Sequence, residues 1–295
     1  MFYVLAYIFG IYENTIDMKN ILLPTDFSNN ARNAIEYAMG FFKNELCTFY
    51  ILNVQKVSKY TTDDLMVAPA DTSIHQSVIS EAKKKLNKLV EDLKEKYSNE
   101  SYTFHTIIDY DIFIDAIRQT VKNKDIDIIV MGTNGATGVA EIIFGSNTLN
   151  VIRRIDCPII AIPHKYTFKN PKTILYAIDC SGHFDTENIK PLMGAIIKYT
   201  SSLRILKIRE DETITVADFD EKKHMKEFFK GINHTFHSIT NVPTALAVNS
   251  FVQIMDVDMT AMFSKRETFL DRFFKGSETS KISYATRVPL LIMHS

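Results

Sequence analysis

The sequence predicts an α/β fold with parallel strands, built twice in one chain. Three observations carry that reading. First, short apolar runs alternate with helix-period stripes, the order expected when crossover helices join parallel strands. Second, two stretches recur. KNILLPTDFSN at 19–29 is matched by KTILYAIDCSG at 172–182, an offset of 153, and CPIIAIPH at 157–164 by RVPLLIMH at 287–294, with Pro158 and Pro289 at an offset of 131. Third, 295 residues at 46% apolar composition suffice for two cores of ordinary size. The two offsets differ by 22, so the second copy lacks about that many residues. The loss falls after its second strand, where the first copy carries the long polar segment 55–98. The expected division is an N-terminal extension at 1–17, a first domain at 18–165 and a second, shorter domain at 166–295.

Within the first copy each element has a local reason. Ile21 to Thr25 is a short apolar strand. Ala31, Ala34, Ile35, Ala38 and Met39 form a stripe that predicts a helix over Asn29 to Phe42, with Ser28 as its cap. Thr48 to Val54 reads as a strand. Ile79, Ala82, Leu86, Leu89 and Leu93 recur at three and four residues, predicting an amphipathic helix over Ser77 to Tyr97. Strand Tyr102 to Ile108, helix Ile112 to Lys122, strand Ile126 to Met131, helix Ser146 to Arg153 and strand Pro158 to Ile162 complete the unit. Right-handed crossovers then put helices on both faces of the sheet. Ligands of such sheets sit beyond the carboxyl ends of the strands, so the residues after Thr25 and Met131 are the first to consider.

Composition excludes several classes. Lys plus Arg number 34 and Asp plus Glu 35, a net charge of −1, which lacks the electrostatic footprint of a nucleic-acid binder. Three dispersed cysteines, Cys47, Cys157 and Cys180, make neither a disulfide framework nor a zinc site and fit a cytoplasmic setting. The apolar start MFYVLAYIFGIY is too short to span a bilayer and lacks signal-peptide flanks. It is read as an extension outside the fold, with a peripheral anchor as the alternative. No G-x-S-x-G, H-E-x-x-H or clustered Cys/His spacing occurs. His164 and His294 are read as repeated surface positions after the last strands. His234 and His237 would face opposite sides of an extended segment.

The chemistry-bearing pattern follows the fourth strand: Gly132, Gly135 and Gly145-Ser146, spaced G-x-x-G-x9-G-S. Glycines let backbone amides approach a ligand closely, and Ser146 and Asn147 open a helix whose first N–H groups lack intrahelical partners. Such a start attracts an anion. Across the crevice Asp26 offers an acceptor for a ribose hydroxyl or an exocyclic amine. The pattern is neither a Walker A loop nor a dinucleotide turn. A tight turn with a capped helix and no ligand is the competing reading.

LPTDFS at 23–28 together with the glycine pattern from Met131 to Ser146 resembles the universal stress proteins, in their tandem form, from Met18 onward. The resemblance implies two flavodoxin-like (adenine nucleotide alpha hydrolase-like) domains, each a five-stranded parallel sheet of order 3-2-1-4-5. It also implies ATP binding, which goes with this glycine pattern in the family. Pro24, Thr25, Asp26 and Val54 would then lie at the adenosine end. Met131 and Gly132 would meet the ribose and α-phosphate, and Gly135, Gly145, Ser146 and Asn147 the polyphosphate. Asn147 is often Val in the family, a difference of little weight if its backbone makes the contact. Mg2+ or Mn2+ would come bound through the phosphates. The implied role is a stress-response protein whose nucleotide state alters conformation or partner choice. Slow ATP hydrolysis at the same crevice, or a nucleotide-free interaction scaffold, are the alternatives. The last strands of the two copies would pair within the chain, with a homodimer through other surfaces open; no membrane or nucleic-acid partner is expected.

The second copy departs from the pattern. Aligning Gly276-Ser277 on Gly145-Ser146 puts Phe263 on Gly132 and Arg266 on Gly135, while Asp179 matches Asp26. The phenyl ring is expected to block a conventional ATP site. Lys265, Arg266, Arg272 and Lys275 would suit another anion, Met262, Phe263, Phe269 and Phe273 an apolar pocket, or the copy serves as a packing partner.

Overall fold

The computed structural model of the chain describes residues 18–55, 72–110, 112–133, 144–178, 186, 188–209, 216–264, 273–274 and 286–294, the side chains of 72–79 and 216–221 excepted. The N-terminal extension, Gly135, Asp179, Cys180, Lys265, Arg266, Phe269, Arg272, Lys275, Gly276 and Ser277 lie outside the described residues.

The first half runs β1 (Lys19–Pro24), α1 (Asn29–Phe41), β2 (Cys47–Val54), α2 (Thr72–Lys96), β3 (Tyr102–Asp109), α3 (Phe113–Asn123), β4 (Ile128–Gly132), α4 (Ser146–Arg154) and β5 (Ile159–Ile162). The second runs β6 (Thr173–Ile178), α5 (Lys190–Tyr199), β7 (Ser202–Arg209), α6 (Val216–Phe228), β8 (His234–Thr240), α7 (Thr244–Ile254), β9 (Met259–Ser264) and β10 (Leu290–His294). All ten strands join one sheet in the order β3-β2-β1-β4-β5-β10-β9-β6-β7-β8. Each half has the expected 3-2-1-4-5 order with parallel neighbours. The halves meet where β5 and β10 pair antiparallel, Ile160 opposite Leu291.

Alternation along the strands explains the two-sided cover. Ile21 and Leu23 of β1 enter one apolar layer with Ala34, Ile35 and Ala38 of α1, Leu86 of α2 and Leu192 of α5. Leu22 enters the other, with Ile117 of α3, Val151 and Ile152 of α4 and Val248 of α7. Both layers continue across the β5–β10 junction, so one core serves both halves. Helices capped by sequence start where expected: the Ser28 hydroxyl accepts the Ala31 N–H at 3.2 Å.

The repeat is visible in hydrogen bonds that no sequence match suggested. Asp127 donates its N–H to the Asn20 carbonyl, and its carboxylate accepts the Asn20 N–H at 2.7 Å. Asp258, 131 positions later in the repeat, does the same with Thr173, whose N–H it accepts at 2.9 Å. The length difference also falls where the offsets put it: α2 has 25 residues and its counterpart α6 has 13. An aromatic seam of Tyr37, Phe168 and Tyr199 joins α1 to α5 through the connecting segment. A Cβ at Gly40 would lie 2.4 Å from the Phe168 ring, which is why that helical position is bare. Among the described residues no helix is long and apolar enough to cross a membrane.

Candidate functional site

The candidate site lies where β1 and β4, neighbours in the sheet, release the chain. At the β1 exit Pro24 and Thr25 are buried and Asp26 is exposed. Thr25 is fixed on three sides. Its N–H donates to the Leu52 carbonyl at 2.8 Å, its carbonyl accepts from Asn53 Nδ2 at 2.7 Å, and its hydroxyl accepts the Phe27 N–H at 3.0 Å. One Asp26 carboxylate oxygen accepts the Ser28 N–H at 3.0 Å. That turn forces Phe27 to φ = 62°, a left-handed conformation unfavourable for a residue with a side chain. Val54, at the end of β2, is half-buried beside this turn.

At the β4 exit Met131 is buried and Gly132 ends the strand. A Cβ on Gly132 would fall 2.5 Å from Asn30 Nδ2 and 3.1 Å from the Asn30 carbonyl oxygen. The glycine is therefore demanded by the first turn of α1 as well as by any ligand. Helix α4 starts at Gly145, whose N–H donates to the Thr133 carbonyl at 2.7 Å. That donor is spent, so Gly145 serves by its shape; the first intrahelical bond runs from the Leu149 N–H to the Gly145 carbonyl, so the N–H groups of Ser146, Asn147 and Thr148 have no acceptor within the helix. Both residues are exposed. Thr148, which sequence reasoning passed over, sets the geometry. Its buried hydroxyl donates to the Gly132 carbonyl at 3.0 Å and the Thr133 carbonyl at 3.2 Å, tying the helix start to the strand end. Asn53 and Asn30 were likewise missed; only their burial at a strand end and a helix start distinguishes them.

Helix α4 carries no acid in its first turn and Arg153 and Arg154 in its last, so its own dipole and charges leave the open end electropositive. An anionic tail fits there. Among the described residues no group of three or more His, Cys, Asp or Glu could hold a metal ion. Burial pushes the Cys47 and Cys157 thiols up to about 12, the chemistry of structural cysteines rather than nucleophiles.

In the second half Phe263 stands in β9 where Gly132 stands in β4. Its ring packs edge-on against Tyr176, centroids 6.1 Å apart, in the layer that holds Ala261 and Met259. Phe273 is fully buried in the opposite layer, so of the suggested apolar lining these two face different sides of the sheet. His234 and His237 also point apart, toward Phe229 and toward Phe251. One expectation is corrected. His294 lies inside β10, not after it, and its Nε2 meets the Ile152 carbonyl of α4 at 2.9 Å. The histidine alignment failed because proline, not histidine, fixes the register of the last strands.

Residues 18–163 match the family model described as the universal stress protein family. The chain is 29% identical over 157 residues to universal stress protein MJ0577 of Methanocaldococcus jannaschii, which covers 50% of this chain and 96% of that protein. It is 25% identical over 145 residues to YxiE of Bacillus subtilis, covering 49% of this chain and 98% of the relative. A solved universal stress protein from Archaeoglobus fulgidus superposes with a TM-score of 0.65 at 20% identity, over 92% of this chain and 95% of its own. Relatives thus align with one half's length while a fold neighbour spans both halves. On these grounds the chain belongs to the universal stress protein family and carries its fold twice.

Proposed function

We propose that the first half, as a domain of residues 18–165, binds ATP at one nucleotide per chain and uses it as a signal for conformation or partner choice in a cytoplasmic stress response. The observation that carries this reading is the exposed start of α4, fixed by Thr148 against the end of β4, next in the sheet to the β1 strand that ends before Asp26. Ser146 and Asn147 would offer their N–H groups to the phosphates, joined by the Ser146 hydroxyl and the backbone at Gly135. Pro24, Thr25, Asp26 and Val54 would frame the nucleoside, Asp26 accepting from a ribose hydroxyl or the adenine amine. Met131 and Gly132 would lie under the ribose and first phosphate. Mg2+ or Mn2+ would arrive on the phosphates, neutralising charge between them. The second half, residues 166–295, is read as a domain without a conventional ATP site, since Phe263 replaces the bare position.

Mass spectrometry of ligands released by acid from freshly purified protein, with calorimetric titration, tests this. The expected result is bound adenine nucleotide, saturation at one per chain, and loss of both in Gly135→Val. Absence of saturable ATP binding in the parent overturns the reading.

A further inference from the structure

The two helices that open at the candidate site are both held, at their far ends, by the other half of the molecule. Phe41 is the last residue of α1, and its carbonyl is among those a helix cannot satisfy internally. It accepts from Lys198 Nζ at 2.7 Å and from the Tyr199 hydroxyl, both at the end of α5. The Lys198 ammonium also contacts Glu45, which Lys19 meets from the other side. On α4 the Ile152 carbonyl, in the last turn, meets His294 Nε2 at 2.9 Å. A carbonyl only accepts, so that nitrogen carries the hydrogen. At the opposite end of α4 the Phe274 ring stands edge-on to Phe144, centroids 4.7 Å apart and planes at 71°. Phe144 is buried and immediately precedes Gly145.

We propose that the second half is a positioning partner for the first: Lys198, Tyr199, His294 and Phe274 hold α1 and α4 at the separation the nucleotide site needs. The inference rests on the ATP-binding reading above. A nine-residue helix moves as a rod, so a grip on its last turn and on the residue before its cap fixes where its first N–H groups stand. Preorganised donors bind an anion without the cost of being brought into place. A copy with a blocked crevice thereby keeps a function in the site of its neighbour. None of the four residues is expected to touch the nucleotide.

Calorimetric titration of the full chain with ATP and with adenosine, alongside thermal unfolding, tests this. His294→Leu and Phe274→Ala are expected to weaken ATP roughly three- to ten-fold, the size of one lost hydrogen bond or one lost ring contact, while adenosine stays within about two-fold because α4 is assigned to the phosphates. His294→Gln, whose side-chain amide can still donate to Ile152, is expected to restore ATP affinity. Tyr199→Phe, a single lost hydroxyl that leaves the ring in place, is expected to weaken both ligands because α1 borders the nucleoside. ATP affinities equal to the parent in all variants overturn the inference and leave the ATP-binding reading standing. So do equal losses for both ligands in the α4 variants, or a Gln variant no better than Leu. A parent that fails to bind ATP overturns both readings together.

Discussion

The ends of β4 and β9 occupy equivalent places in the two halves, yet one finishes in Gly132 and the other continues through Phe263. At Gly132 the missing side chain admits Asn30 to within 2.5 Å of where a Cβ would stand, and α1 seats closely on the strand end. At Phe263 the ring fills its layer against Tyr176 instead. The difference shows that the same strand-end position holds a bare backbone in one half and a packed ring in the other, while the strand order beneath stays the same. It also shows that the glycine answers to an internal packing demand before any ligand is considered.

The comparison breaks most directly if Gly132→Phe, which installs the residue of the other half, leaves ATP binding intact. The expected outcome is loss of measurable binding by calorimetry and, from collision with Asn30, a stability loss of about 3 kcal/mol in denaturant unfolding. Next in size is an alkaline effect centred on the first half, which holds the two described buried thiols. Cys47 and Cys157 are pushed up to about 12, whereas unfolded cysteine ionises near about 8.5. The folded chain keeps its protons longer, so their contribution is whole below about pH 8.5 and declines as pH rises toward 12, by about 2 kcal/mol per thiol at pH 10. Denaturant midpoints between about pH 8.5 and 10, below the range where the buried tyrosines add their own decline, compared with a Cys47→Ala/Cys157→Ala variant whose decline there is smaller, measure it.

The reverse exchange sharpens the contrast. Phe263→Ala is expected to cost about 3 kcal/mol as the ring leaves its layer, with ATP stoichiometry unchanged at one per chain. A rise to two nucleotides would show that bulk alone had closed the second crevice. Thr148→Val leaves the Gly132 and Thr133 carbonyls without their hydroxyl donor and is expected to cost about 2 kcal/mol, with ATP weakened more than adenosine in titration. Ser28→Ala, which removes the α1 cap, has the smallest expected effect, about 1 kcal/mol by thermal unfolding.

Much of this was legible in the chain itself. Short apolar runs and helical stripes located the strands and helices to within a few residues, because strands covered on both faces are apolar throughout while their helices are buried on one side only. The unequal offsets located the shortened connection, since only a length change between β7 and β8 reconciles them. Ser28 and Gly145 were readable as cap and turn chemistry, which depends on near neighbours. Asn30, Asn53, Thr148 and His294 were not, because each acts on a carbonyl or a bare position brought close only by the sheet. His294 and Ile152 are 142 positions apart, and no local pattern marks such a pair. The role of Gly132 in admitting Asn30 was hidden for the same reason.

The antiparallel β5–β10 junction has a consequence for how the molecule is made. It joins Ile159–Ala161 to Leu290–Ile292, closing a loop of roughly 130 residues, an entropic outlay that comes late and slowly. Until then β5 is a bare edge, able to take up any extended segment, including β5 of another nascent molecule. Refolding yield should therefore fall steeply with protein concentration even though the finished sheet buries that edge completely.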